Sequence, residues 1–360
     1  MEPMISIAVD TGGTFTDVTL VDRRTGVLHK AKTPSTPDDP SIGFIEGVRR
    51  ILERAGVGAE AVSHVFHGTT VATNTILEMD GADCALLTTT GFRHVLDIGR
   101  HDIPRDENIY SWVKPRRPVP TERIYEIDGR MDFEGHELTP LGEPGVRAAI
   151  ERIRARGIKA IAVCYLHSYA NPAHEERTRE IIAELYPDAL VSLSSQVLPT
   201  FREFERSMAT LLNSYVMPKV ATYVARLEDR MRERRIEGRL LLMKSSGGVT
   251  GVETIRRQPV HTALSGPAAG VVGAHLVGRL AGEPRLVSFD IGGTSADICL
   301  INGGTPDVTL EGRIGDWPLS LPMIDIHTIG AGGGSIARIS NGTLMVGPVS
   351  AGAKPGPVCY

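Results

Sequence analysis

The strongest constraint on this chain is a stretch that occurs twice. Residues 8–22 read AVDTGGTFTDVTLVD and residues 288–302 read SFDIGGTSADICLIN, so Asp10, Gly12, Gly13, Thr14 and Asp17 recur as Asp290, Gly292, Gly293, Thr294 and Asp297. A constant 280 positions separate the copies, as from Asp10 to Asp290. That spacing is too long for a solenoid, whose units run to about 20–50 residues, and it implies two related halves facing each other across a cleft.

Each copy reads as a strand, a tight Gly-Gly turn and a second strand. Ile5 to Val9 and Leu286 to Phe289 are apolar runs, and Val18/Leu20 and Ile298/Leu300 resume the alternation after the turn, which predicts a β-hairpin. Glycine at both turn positions permits φ > 0 and leaves the backbone N–H groups uncovered, so an anion fits the turn. Thr14 and Thr294 add hydroxyl donors, with Thr16 beside them. Asp10 and Asp290 end the first strand of each copy, where a carboxylate would hold Mg²⁺ beside a phosphate. A single such hairpin carries little information; two place a nucleotide between the turns.

Further glycine-hydroxyl turns follow strands elsewhere. Val62 to Phe66 leads into His67-Gly68-Thr69-Thr70 and then a helix, an order that suits either anion binding, with His67 as a catalytic candidate, or a plain helix cap with His67 packed inside. Leu240 to Met243 leads into Ser245-Ser246-Gly247-Gly248. Leu264-Ser265-Gly266-Pro267-Ala268-Ala269-Gly270 opens a helix lined with small residues. Ile324 to Ile329 precedes Gly330-Ala331-Gly332-Gly333-Gly334-Ser335, and Gly332, Gly333 and Gly334 are read as ligand-facing; Asp325 and His327, two apart on that strand, would share a face.

Between the turns, strands alternate with helices of 10–15 residues, as in an α/β fold. Residues 93–139 break the pattern, with His101, Arg105, Trp112, Lys114, Arg116 and Arg117 among prolines, and read as a loop or lid. Residues 194–199 are the expected boundary between domains at 1–195 and 196–360. Phe201 to Arg235 is a long amphipathic region that Pro218 should kink or divide.

Composition narrows the function. A net charge of −4 and 5% aromatic residues leave neither a basic footprint nor stacking platforms, which argues against a nucleic-acid partner. Cys84, Cys164, Cys299 and Cys359 form no CxxC and read as reduced residues of a cytoplasmic protein. No apolar run approaches the roughly 20 residues needed to cross a membrane.

The paired hairpins resemble the two phosphate motifs of the superfamily of actin, hexokinase and the heat-shock chaperone ATPases, which clamp ATP between ribonuclease-H-like lobes. Within it, DTGGTFTD, HGTTVATNTILE, LTTTGFRHVLDIGR, LPTFREFERSMATLLNSYVMP, SSGGVTGVETIRRQPVHTALSGPAAGVVGA, FDIGGTSADICLI and IGAGGGSIA resemble, in that order, the A-type subunit of ATP-dependent hydantoinases and 5-oxoprolinases. The resemblance implies an α/β fold of two such lobes, ATP and Mg²⁺ as cofactors, and a small cyclic amide activated by phosphorylation of its carbonyl. It implies a B-type subunit as partner, where water attacks the activated ring. Family chains continue well past GPVCY, so the second lobe is expected to be incomplete, with the adenosine-side segment supplied by a further stretch or a second polypeptide. The homologous subunit of a biotin-independent acetone or acetophenone carboxylase carries the same motifs and is the nearest alternative. A nucleotide-gated chaperone or a sugar kinase fits less well, because the HGTT and SGPA stretches match the hydantoinase pattern and no sugar-binding segment is recognisable.

Overall fold

The computed structural model describes residues 4–351 apart from 14, 37, 101–102, 104–107, 294 and 341, together with residue 356. Thr14, Thr294, His101, Arg105 and Cys359 lie outside the described residues. Three sheets and their helices account for most of the chain, and the repeat supplies a hairpin to the first and to the third.

The first sheet contains β1 (Ile5–Thr11), β2 (Phe15–Asp22) and β3 (Leu28–Pro34), an antiparallel meander. Helix α1 (Pro40–Ala55) covers it. Asp39 caps α1 by accepting from Ser41 N and Oγ, and Gly56 ends it in the left-handed region at φ 64°. Phe44, Ile45, Val48, Ile51 and Leu52 face inward, whereas Ile42 of the expected stripe stays exposed. Strand β4 (Val62–Thr69) runs parallel to β1 and leads into α2 (Val71–Leu77).

The second sheet begins with β5 (Cys84–Thr89) and β6 (Ile124–Ile127), then after α3 (Glu143–Ala155) comes β7 (Ala160–Cys164), and after α4 (Ala173–Leu185) comes β8 (Leu190–Leu193). Its order is β8-β7-β5-β6, all parallel. Every residue of β5 and β7 is buried, as a parallel sheet covered on both faces requires. Residues 93–139 therefore do more than loop: Val119, Ile124, Tyr125, Ile127 and Met131 are buried and β6 completes this sheet. Prolines and charges masked a strand of only four residues.

Helix α5 (Glu203–Glu233) is about 46 Å long at 1.5 Å per residue, and of the two outcomes expected at Pro218, a kink or a division, it is not divided. It packs on one face of the second sheet while α3 and α4 cover the other. Arg230 of α5 bonds Asp39 at 2.9 Å, tying it to the start of α1. Strand β9 (Arg239–Met243) then joins β4 in parallel and pairs with β10 (Val249–Gly251), giving the first sheet the order β10-β9-β4-β1-β2-β3. The first sheet and one core, which runs from Ile5 to Met323, thus draw on residues from both sides of position 195.

Helix α6 (Ser265–Ala281) carries the chain to the second copy of the repeat, β11 (Leu286–Ile291) and β12 (Ala296–Asn302). Ala268 and Val271 of α6 pack on Cys299 and Ile301 of β12. The strand β13 (His327–Ile329) adds to β12, and the hairpin β14 (Ser335–Ser340) with β15 (Thr343–Ser350) follows. The third sheet is small, and β11 lies at its edge among the described residues.

Candidate functional site

The two copies fold alike. Each is an antiparallel hairpin in which Asp10 stands opposite Asp17 and Asp290 opposite Asp297. Gly12 N donates to Phe15 O at 3.1 Å, and Gly292 N donates to Ser295 O at 2.8 Å, so the turns close with the same bond. Gly12, Gly13, Gly292 and Gly293 do not use the positive φ that glycine permits. What they lack is a side chain: a Cβ on Gly12 would stand 3.2 Å from Phe15 O, while one on Gly13 or Gly293 would meet nothing within 4 Å. The tips of both turns are open and bare.

Asp10 is exposed on one side, yet its carboxyl is raised above the usual carboxylate range, first by desolvation from the walls around it, then by the charges of Asp17 and Asp290. The two copies of the repeat therefore converge closely enough to interact electrostatically. Asp17 is paired with Lys32 at 3.1 Å, and Asp297 accepts from Thr328 Oγ1 at 2.6 Å. Carboxylate oxygens that repel one another, beside two bare glycine turns, make a donor set suited to a hard divalent cation and a polyanion.

Five sequence-predicted residues fall in other surroundings. Thr16 is buried on the far face of β2, bonded to Ser35 Oγ at 3.1 Å, and Ser35 donates to Gly12 O at 2.7 Å. It braces the turn from behind, since strand alternation turns it away from Asp17. Ser35, in the PSTPDDP segment, carried no sequence signal for this role. His67 is wholly buried: one ring nitrogen meets Val9 O at 3.1 Å and the other Tyr223 Oη at 2.7 Å. Burial pushes its pKa down to about 4, against an opposing effect of the Val9 carbonyl. With both nitrogens engaged in the core, His67 is out of reach of a ligand, and the catalytic expectation for it is corrected to packing. The glycines 332–334 approach protein backbone: Gly333 N donates to Gly292 O at 2.9 Å, Gly334 N to Gly293 O at 2.7 Å, and a Cβ on Gly332 would stand 2.5 Å from Gly292 O. The GAGGGS loop is laid directly on the second turn and sets its shape.

Asp325 and His327 do not share a strand, because one strand ends at Ile324 and the next begins at His327. A cavity of about 610 Å³ lies apart from the hairpins, between the segment 114–120, Tyr215 and Trp317. No helix among the described residues is long and apolar enough to cross a membrane. Cys84, Cys164 and Cys299 are buried free thiols.

Fold and site together define a mixed α/β protein built on two copies of one glycine-turn hairpin whose aspartates sense each other. Residues 6–186 match the family model of the hydantoinase/oxoprolinase N-terminal region and residues 206–360 that of hydantoinase/oxoprolinase. The chain belongs to the hydantoinase/oxoprolinase family. It is 34% identical to the caprolactamase subunit alpha of Pseudomonas jessenii, over 98% of this chain and 52% of that protein. Identity is also 34% to the acetophenone carboxylase gamma subunit of Aromatoleum aromaticum, over 99% of this chain and 50% of that one. The crystal structure of an ATP-dependent caprolactamase from Pseudomonas jessenii superposes with a TM-score of 0.87 at 33% identity, covering 99% of this chain and 52% of that one. The chain thus spans about half the length of these relatives.

Proposed function

We propose that this chain is the ATP-binding component of an enzyme that opens a small cyclic amide, of the hydantoinase or 5-oxoprolinase type. The observation that carries the reading is the duplicated hairpin, closed by the same turn bond in both copies, with Asp290 close enough to raise the carboxyl of Asp10. Asp10 and Asp290 would hold Mg²⁺, and the N–H groups at the turn tips, at Gly13 and Gly293, would take phosphate oxygens, while those of Gly12 and Gly292 close the turns. Thr14, Asp17, Thr294 and Asp297 complete the same two sequence motifs. The sheet order of the first hairpin's half, with a parallel strand beside β1, supports the ribonuclease-H-like lobe reading.

An amide ring resists water because its carbonyl is a poor electrophile. Phosphorylation of that oxygen by ATP supplies a leaving group, and bound Mg²⁺ offsets negative charge on the phosphates. The residues of this chain contribute positioning and electrostatics: bare amides at the turns, carboxylates fixed at strand ends, and a GAGGGS loop that holds the second turn in shape. Water attack is assigned to a B-type partner subunit, and a further polypeptide stretch would complete the third sheet. Asp10→Asn and Asp290→Asn test this in the assembled enzyme. Each should lower amide-dependent ADP release by orders of magnitude while the fold survives; unchanged release in both would reject the assignment.

A carboxylase reading is supported by the equal identity to the acetophenone carboxylase subunit. ADP release that needs a ketone and bicarbonate, and ignores lactams, hydantoins and 5-oxoproline, would select it.

A further inference from the structure

The HGTT and SGPA stretches are not explained by the turns, yet both end at one carboxylate oxygen. In the parallel pairing of β1 with β4, Asp10 stands level with Gly68. A Cβ on Gly68 would lie 3.1 Å from Asp10 Oδ1, and a Cβ on Gly266 would lie 3.5 Å from the same atom. The two glycines also face each other, since that Cβ of Gly68 would be 3.8 Å from the Cα of Gly266. One carboxylate oxygen is therefore lodged in a slot walled by two backbones, one at the end of β4 and one in the first turn of α6.

The rest of both motifs keeps the slot closed. Ser265 Oγ donates to Thr69 O at 3.1 Å and accepts from Thr69 N at 3.2 Å, stitching α6 to β4 next to Gly68. Leu264 N donates to Thr73 Oγ1 at 2.9 Å, and Leu264 itself sits at φ 58°, a left-handed conformation that a leucine adopts only under constraint. His67, adjacent to Gly68, is hydrogen-bonded to the carbonyl of Val9, adjacent to Asp10. These contacts hold the backbone on either side of the slot.

We propose that the two motifs form a holder for Asp10, with Gly68 and Gly266 as positioning residues whose missing side chains fix where its carboxylate stands. The proposal rests on the reading of Asp10 as a metal carboxylate. Supporting groups around metal ligands typically matter by about 10- to 100-fold in affinity or activity.

The test is Mn²⁺ binding to the full chain by electron paramagnetic resonance, with melting temperature recorded for each variant. Gly68→Ala should weaken binding about 10- to 100-fold, because 3.1 Å forces the carboxylate to move. Gly266→Ala should weaken it less, since at 3.5 Å the added methyl touches the oxygen without displacing it and only shields that side from water and metal, and it keeps the test valid should Gly68→Ala not fold. Gly270→Ala and Gly273→Ala, on the same helix with nothing within 4 Å of the added methyl, should bind as wild type. Wild-type affinity in folded Gly68→Ala and Gly266→Ala, with affinity lost in Asp10→Asn, overturns the holder and leaves the metal reading standing. Affinity that ignores Asp10→Asn, or is absent from the wild-type chain, removes the metal reading and this proposal with it.

Discussion

Asp10 and His67 are near neighbours in the fold with opposite fates. His67 is sealed in the core as a neutral ring, and its pKa of about 4 lies below the value of about 6.5 expected in an unfolded chain. Between those values the unfolded chain binds more protons, so stability is complete above about pH 6.5 and falls as pH drops toward 4. The loss amounts to roughly 3 kcal/mol, at about 1.36 kcal/mol per unit. Urea denaturation at pH 7.5 and pH 4.5 should show it, and His67→Gln should remove that part of the dependence. Asp10 is strained in the other direction: its carboxylate is desolvated and repelled by Asp17 and Asp290, so its charged form costs stability. Asp10→Asn should raise the melting temperature of the metal-free chain, and Mg²⁺ should stabilise the wild type more than the variant. A variant melting below the wild type would show that repulsion is not what this carboxylate suffers.

The repeat allows one element to be compared with its own copy. In the first sheet β1 has β2 on one side and β4 on the other, and Val9 is 2% exposed. Its counterpart in β11, Phe289, is 57% exposed, and Leu300 of β12 is 63% exposed where Leu20 of β2 is 1%. Truncating a buried aliphatic side chain to alanine costs about 2–5 kcal/mol, whereas the same change on a surface stays within about 0.5 kcal/mol. Ile7→Ala should therefore destabilise the chain by the larger amount and Val287→Ala by the smaller, as read from urea midpoints. Equal losses would mean that β11 is covered in solution.

Exposure of Val287, Phe289, Ile291 and Leu300 leaves an apolar face on the third sheet, opposite the face that α6 covers. Patches of this kind mark surfaces that another part covers, and the relatives that match this chain are about twice its length. We expect the purified chain alone to bind ATP weakly and to open no cyclic amide, and co-expression with a polypeptide resembling the remaining half of its relatives to bury that face. Calorimetry with ATP and a ring-opening assay check this; micromolar affinity and turnover without any partner would overturn it.

Part of the fold could be read in the chain before its structure. The two hairpins and the α/β alternation depend on residues a few positions apart, and short-range patterns decide turns. The motif strings also identify the family. Burial was another matter. Whether Thr16 faces a ligand or a serine 19 positions on, whether His67 touches solvent, and whether an apolar strand is inside or outside depend on which distant segment lies alongside. The same holds for the roles of Gly68 and Gly266, which no local pattern distinguishes from ordinary turn glycines. Their significance appears only when β4 and α6 arrive, from 58 and 256 positions along the chain, on one oxygen of Asp10. Desolvation and close approach are sums over all neighbours in space, and a linear sequence shows only the neighbours along the chain.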